Sequence, residues 1–277
     1  MENNEKKSCG QYIELGNQRI RYFEEGQGET LLMVHGLGQA MYTFRKNVHV
    51  LSEYCHVVTI DLIGHGLSDK PETVDYSIED YSQLIADFMD AMGIEHATVM
   101  GFSTGAVIAM DLAIRFPGYV DRLILLSPGG LTKTYPPLFR RLTVPVISDI
   151  LITLFNKGMV RSVLKDAYYD PRLAATDVIH HYYKILSDPS ALEALVSSIA
   201  SWNDAPISEG LSRIKAPVYI FWGEKDQWHP LEMMEYYEDA LSDVYSATFA
   251  ECGHLLHEEC FEELNKKLIE IMALPLR

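Results

Sequence analysis

The chain has 277 residues, 48% of them hydrophobic and 22% charged, which is the balance of an ordinary folded protein rather than a disordered or fibrous one. Its formal net charge of −16 argues against a nucleic-acid partner, whose phosphates it would repel. No uncharged apolar run reaches the roughly 18 residues of a membrane span, and the opening MENNEKKSCG has no apolar core of a secretory signal, so a cytoplasmic protein without membrane association is expected.

Residues 1–10 read as a flexible N-terminal tail. QYIELGNQRIRYFEEG then gives two alternating runs joined at Gly16-Asn17, a β-hairpin signal. TLLMVHG (30–36), HVVTIDLIGHG (56–66), ATVMGFS (97–103), RLILLSPGG (122–130) and PVYIFWGEKD (217–226) are apolar runs that close on glycine and polar residues, as strands of a parallel sheet covered on both faces do. Between them lie helical patterns. Residues 78–92 put Tyr81, Leu84, Ile85, Phe88, Met89 and Met92 on one stripe, with Ser77 placed to cap the helix and Asp80 in its first turn. A further helix is expected over 104–115. The alternation predicts an α/β fold with a mostly parallel, doubly wound sheet.

Residues 131–210 break the alternation. They read as several helices without strands, and they hold eight Lys/Arg and eight Asp/Glu, so the whole surplus of negative charge lies outside them. A core domain of residues 11–130 and 211–277 with an inserted helical cap over 131–210 is expected. The four cysteines (Cys9, Cys55, Cys252, Cys260) form no CxxC pair and no metal-ligand spacing; Cys252 is expected to be a plain small side chain.

GFSTG (101–105) carries the chemistry. In a strand-to-helix turn a serine is forced into an unusual backbone conformation with its hydroxyl above the sheet, and neighbouring chain crowds the positions two before and two after it, hence Gly101 and Gly105. The following helix turns its N-terminal amides and dipole toward the serine. Gly-x-Ser-x-Gly also arises by chance, but here it follows a buried run and opens a helix.

With these features the chain resembles the α/β-hydrolase superfamily, in particular capped serine hydrolases of the esterase and carbon–carbon hydrolase type. The resemblance spans about residues 12–273 and rests on HGLG (35–38), DLIGHGLSD (61–69), GFSTG, GEKD (223–226) and GHLLHEE (253–259), in family order. It implies an α/β-hydrolase fold with Ser103 as nucleophile, His254 as base and Asp226 as the acid that orients it. A serine hydroxyl needs an adjacent base, imidazole titrates near the working pH, and a carboxylate fixes its tautomer. The backbone amides of Thr104 and Leu37 are the implied oxyanion donors. Glu224 and His257 are the neighbouring decoys, while Asp61, Asp69, His35 and His65 are expected to hold loops.

A serine at 103 rather than an aspartate excludes haloalkane dehalogenase and epoxide hydrolase chemistry of the family's type. No cofactor and no metal are expected, and a small molecule is the expected partner. Tyr135, Phe139, Phe155, Tyr168, Tyr169, Tyr182, Tyr183 and Trp202 lie in the insert, mostly as packing, with some expected to line an apolar pocket. The expected activity is cleavage of small, largely apolar carboxylic esters through an acyl-enzyme. Two alternatives stay open. One is a carbon–carbon hydrolase of anionic diketones, for which Arg140, Arg141, Arg161 and Arg172 are candidate cations; the other is a slow-turnover small-ligand receptor.

Overall fold

The computed structural model describes residues 10–129 and 152–276. The apolar runs form one eight-stranded sheet in the order β1-β2-β4-β3-β5-β6-β7-β8. Its strands are β1 (Gln11–Leu15), β2 (Gln18–Glu25), β3 (Thr30–Val34), β4 (His56–Ile60), β5 (Ala97–Phe102), β6 (Val120–Leu126), β7 (Val218–Gly223) and β8 (Val244–Phe249). β1 and β2 form the expected hairpin, with Leu15 opposite Gln18 and Gly16 at φ 61° in the two-residue turn, a backbone suited to glycine. β2 also pairs antiparallel with β4; every other pairing is parallel.

Helices α1 (Val48–Leu51), α2 (Ile78–Met92) and α3 (Thr104–Arg115) lie between the early strands. The helix read at 78–92 has those bounds, because both ends are specified chemically. Ser77 and Asp80 form a reciprocal capping box, and Gly93 closes the helix at φ 69°. After β6 the described chain is helical without strands: α4 (Lys157–Ala167), α5 (Thr176–Leu186), α6 (Pro189–Ala200) and α7 (Ala205–Gly210) precede β7. Tyr135, Phe139, Arg140 and Arg141 lie outside the described residues. The C-terminal part adds α8 (Glu232–Ala240), α9 (Leu256–Glu259) and α10 (Phe261–Met272).

Strand periodicity divides the core between the two faces of the sheet. Leu32 and Val34 of β3 join the cluster with α2, α3 and α8, whereas Leu31 and Met33 join the one with α1, α10, α4 and α5. Through the second cluster α4 and α5 share a core with the sheet, while Ala194 of α6 and Ile207 of α7 join the first. Among the described residues no helix is long and apolar enough to cross a membrane.

The sheet positions one turn above all. β5 is buried along its whole length and runs through Ser103 directly into α3. A Cβ on Gly101 would lie 2.3 Å from the Gly105 carbonyl oxygen, and one on Gly105 would lie 2.3 Å from the Val34 carbonyl oxygen. Backbone packs against backbone at both positions and has nowhere to retreat. Gly105→Ala is therefore expected to cost about 3 kcal/mol or more by overpacking, while Gly118→Ala, whose Cβ would meet nothing within 4 Å, stays near wild type. Urea midpoints of the two variants check this; equal midpoints would refute the close approach.

Candidate active site

Ser103 sits at φ 52° and ψ −116°, in the left-handed half of backbone space that a side chain disfavours. Strain of this kind costs on the order of 1–3 kcal/mol and persists only where the surroundings impose it. They do so here. The Ser103 amide donates to the Leu126 carbonyl at 2.9 Å, and its own carbonyl accepts from Ala106 N–H at 3.0 Å and Gly129 N–H at 3.4 Å. The half-buried serine is thus tied to β6 on one side and to its own helix on the other.

His254 follows β8, and Asp226 follows β7. Asp226 Oδ2 accepts from His254 Nδ1 at 2.8 Å, with both side chains only 1% exposed. This bond puts the ring proton on Nδ1 and leaves the lone pair on Nε2, which is buried and has no hydrogen-bond partner among the described residues. Ser103 Oγ makes no hydrogen bond to it, but the two residues are neighbours through Phe102, whose ring centroid lies 4.8 Å from that of His254. The other oxygen of Asp226 accepts from the amides of Trp228 at 2.8 Å and His229 at 2.9 Å. Burial alone would raise the Asp226 carboxyl; the charge and hydrogen bond of His254, with help from His229, pull it below the usual carboxylate range.

The Leu37 loop meets the Ser103 turn at Phe102, whose ring would lie 3.1 Å from a Cβ on Gly36. His35 braces that loop. Its Nε2 accepts from the Leu62 amide at 3.0 Å, so Nδ1 carries the proton and donates to the Gly36 carbonyl at 2.8 Å. Asp61 is fully buried and accepts from the amides of Met41 and Leu67, and Asp69 accepts from the Arg19 amide, so both hold turns. Thr104 opens α3, where its amide has no partner within the helix. The insert lies on the same loop: Leu192, Leu195 and Ile199 of α6 form a small apolar cluster with Leu37 packed against it.

The decoys are occupied elsewhere. Glu224 accepts from the Thr248 hydroxyl, exposed. His257 is fully buried in α9 and donates from Nε2 to Thr43 Oγ1 at 2.6 Å, since the threonine proton goes to Glu258. Glu258 is the centre of a buried network. It accepts from Arg45 at 2.6 Å, Tyr168 at 2.6 Å, Tyr182 at 2.7 Å and Thr43 at 2.8 Å. Burial opposes ionisation of Glu258, yet Arg45 and the hydroxyl donors hold its carboxyl below the usual range. Burial and the adjacent carboxylate keep both tyrosine hydroxyls protonated, as donors must be. Two aromatics expected as packing or pocket lining are thus spent on a polar contact with the core. Tyr169 is exposed, and Phe155 stacks on Tyr183.

Three features were not read from the sequence. Glu258 and its donors escaped because the donors lie up to 215 residues away. His229 escaped because its role runs through the backbone; its ring stands edge-on to His254 at 4.7 Å. Asp226, His229 and His254 offer ligand atoms within 4.8 Å of one another. The first and last are bonded to each other, however, and His229 Nδ1 is directed at the Ser127 carbonyl at 3.3 Å. Finally, Cys252 has a neighbour that its sequence position does not announce: α9 folds the chain back so that Cys252 and Cys260 lie 6.2 Å apart at Cα.

The family model for the alpha/beta hydrolase family matches residues 31–267. An uncharacterised protein of Mycobacterium tuberculosis is 31% identical over 83% of this chain and 71% of its own length. The 2-hydroxy-6-oxo-6-phenylhexa-2,4-dienoate hydrolase of Comamonas testosteroni is 25% identical over 94% of this chain and 93% of its own. Among solved structures, a meta-cleavage product hydrolase from Pseudomonas fluorescens superposes with a TM-score of 0.81 at 24% identity, covering 94% of this chain and 96% of that one.

Four histidines around the site are buried neutral. Burial pushes His35 and His229 down to about 4, and His65 and His257 down to about 3. In the unfolded chain each returns to about 6.5, so the unfolded state binds more protons between these values, and stability falls as pH drops through that window. The expected loss below pH 6.5 is up to about 1.4 kcal/mol per pH unit for each histidine. Urea midpoints at pH 7.5, 6 and 5 check it, and a flat series would contradict four neutral imidazoles.

Proposed function

Because the chain belongs to the alpha/beta hydrolase family and is a hydrolase of that fold, we propose that it is a serine hydrolase acting on small, largely apolar carboxylic esters. The observation that carries this is the buried Asp226–His254 hydrogen bond, which leaves an imidazole lone pair beside a strained serine turn.

In this reading the Ser103 hydroxyl attacks the ester carbonyl carbon and its proton passes to His254 Nε2. Asp226 keeps the Nδ1 proton in place and stabilises the imidazolium. The amides of Leu37 and Thr104 hold the oxyanion, where one such donor is typically worth about 3–4 kcal/mol. Collapse expels the alcohol oxygen, which takes the proton from His254. Water, deprotonated by the same imidazole, then cleaves the acyl-enzyme and releases the carboxylic acid.

The inserted helices act as a cap. The α6 leucines against Leu37 favour an uncharged, apolar acyl or alcohol group. Of the four cap arginines, Arg161 and Arg172 are exposed, the latter bound to Asp170, and neither offers a buried anion site. A second reading, cleavage of a carbon–carbon bond in a diketone, is favoured by the similarity to the Comamonas testosteroni hydrolase.

Two outcomes are expected. Ser103→Ala should lose about 10⁴-fold or more of turnover with the fold intact, and a fluorophosphonate probe should label the wild type at Ser103 alone; labelling elsewhere would sink the assignment. On p-nitrophenyl esters, kcat/KM should rise about fourfold per methylene from acetate toward butyrate or hexanoate, then fall once the pocket is full. Weak, flat ester hydrolysis beside efficient cleavage of a diketone would select the second reading.

A further inference from the structure

His254 is held by the insert as well as by the core. Its amide donates to the Ala167 carbonyl at 2.8 Å. The preceding Gly253 lies so close to the insert backbone that a Cβ there would fall 2.6 Å from both the Ala167 oxygen and the Tyr169 nitrogen. Glu259 completes the joint. One of its oxygens accepts from the amides of Gly253 at 2.6 Å and Tyr169 at 3.1 Å, and the other from the amide of Asp170 at 2.6 Å. Trp228 lies tilted against His254, ring centroids 4.8 Å apart, and donates from Nε1 to Asp166 at 3.0 Å. Residues 166–170, at the end of α4, therefore grip the imidazole loop from several directions. Glu258, one residue before Glu259, ties the same region to Thr43 and Arg45 of the core.

We infer that Glu259 is a positioning residue, fastening the loop of the base to the cap so that His254 is aligned only while the cap is seated. This rests on the serine-hydrolase reading above. The chemistry of the joint demands a carboxylate. All three donors on Glu259 are backbone N–H groups, which cannot turn round to accept, so an amide of the same shape must aim its NH₂ at one of them. Glutamine thus breaks the joint without changing its size. A free cap end then lets Gly253 and His254 drift, the Asp226–His254 bond loosens, and the imidazole becomes a weaker base.

The test uses the full chain as wild type, Glu259→Gln and Glu263→Gln, the last being an exposed control. Amide exchange followed by mass spectrometry should show 165–171 and 252–257 exchanging faster together in Glu259→Gln and neither changing in the control. Labelling of Ser103 by a fluorophosphonate should slow about 10- to 100-fold, with its pH limb moved to lower pH, a shift that a purely structural lesion would not produce. Tyr168→Phe, which removes one of the four donors on Glu258, should move the same readouts less far, and it decides the matter if the glutamine variant does not fold. Unchanged exchange, loosening of one segment alone, or normal labelling in a folded variant overturns the inference. A wild type unlabelled at Ser103 sinks the serine-hydrolase reading and the positioning role with it, while the exchange experiment still decides whether cap and loop are fastened.

Discussion

Everything at the site depends on one backbone angle. Ser103 can hold φ 52° only because β5 delivers the chain into a turn where carbonyls of β3 and of α3 press against Gly101 and Gly105. The strain is local, but the restraint is distributed over β3, β5, β6 and the first turn of α3. A backbone held by so many rigid neighbours has little freedom left to lose, which is what pre-organisation means energetically. The loops carrying Asp226, His254 and Leu37 are arranged around this turn.

How much of this was legible depended on whether the cause lay near in sequence. The 78–92 helix could be read to the residue because Ser77, Asp80 and Gly93 are its own end signals. The hairpin was readable from Gly16, and the serine turn from its flanking glycines, since steric demands write themselves into adjacent positions. The joint around Glu258 and Glu259 was invisible for the opposite reason. A glutamate near the start of a helix has an ordinary explanation in the helix dipole, and nothing beside it announces Arg45, Tyr168 or the amide of Asp170. His229 and the Cys252–Cys260 pair were missed likewise, one acting through a backbone N–H and the other through the reversal of α9.

The buried polar groups around the site form two systems. The four neutral histidines each sit against backbone carbonyls, amides or a hydroxyl, giving loops fixed directions without placing charge in the interior. Glu258 instead keeps a full charge buried and satisfies it with four donors drawn from core and insert, an arrangement that loses much more when one donor is removed than it gains over an apolar contact.

The order of the strands also governs when the candidate site comes together. β6 pairs with β7 at Leu123 and Val218, so that ladder closes only after the whole insert has been synthesised. Asp226 and His254 arrive later still. A growing chain therefore carries the Ser103 turn before either residue is beside it, and the candidate site is assembled by sequence-distant contacts, which form slowly because long loops must close first. In the nascent polypeptide the Asp226–His254 bond can form only after the last strand, β8, has been made.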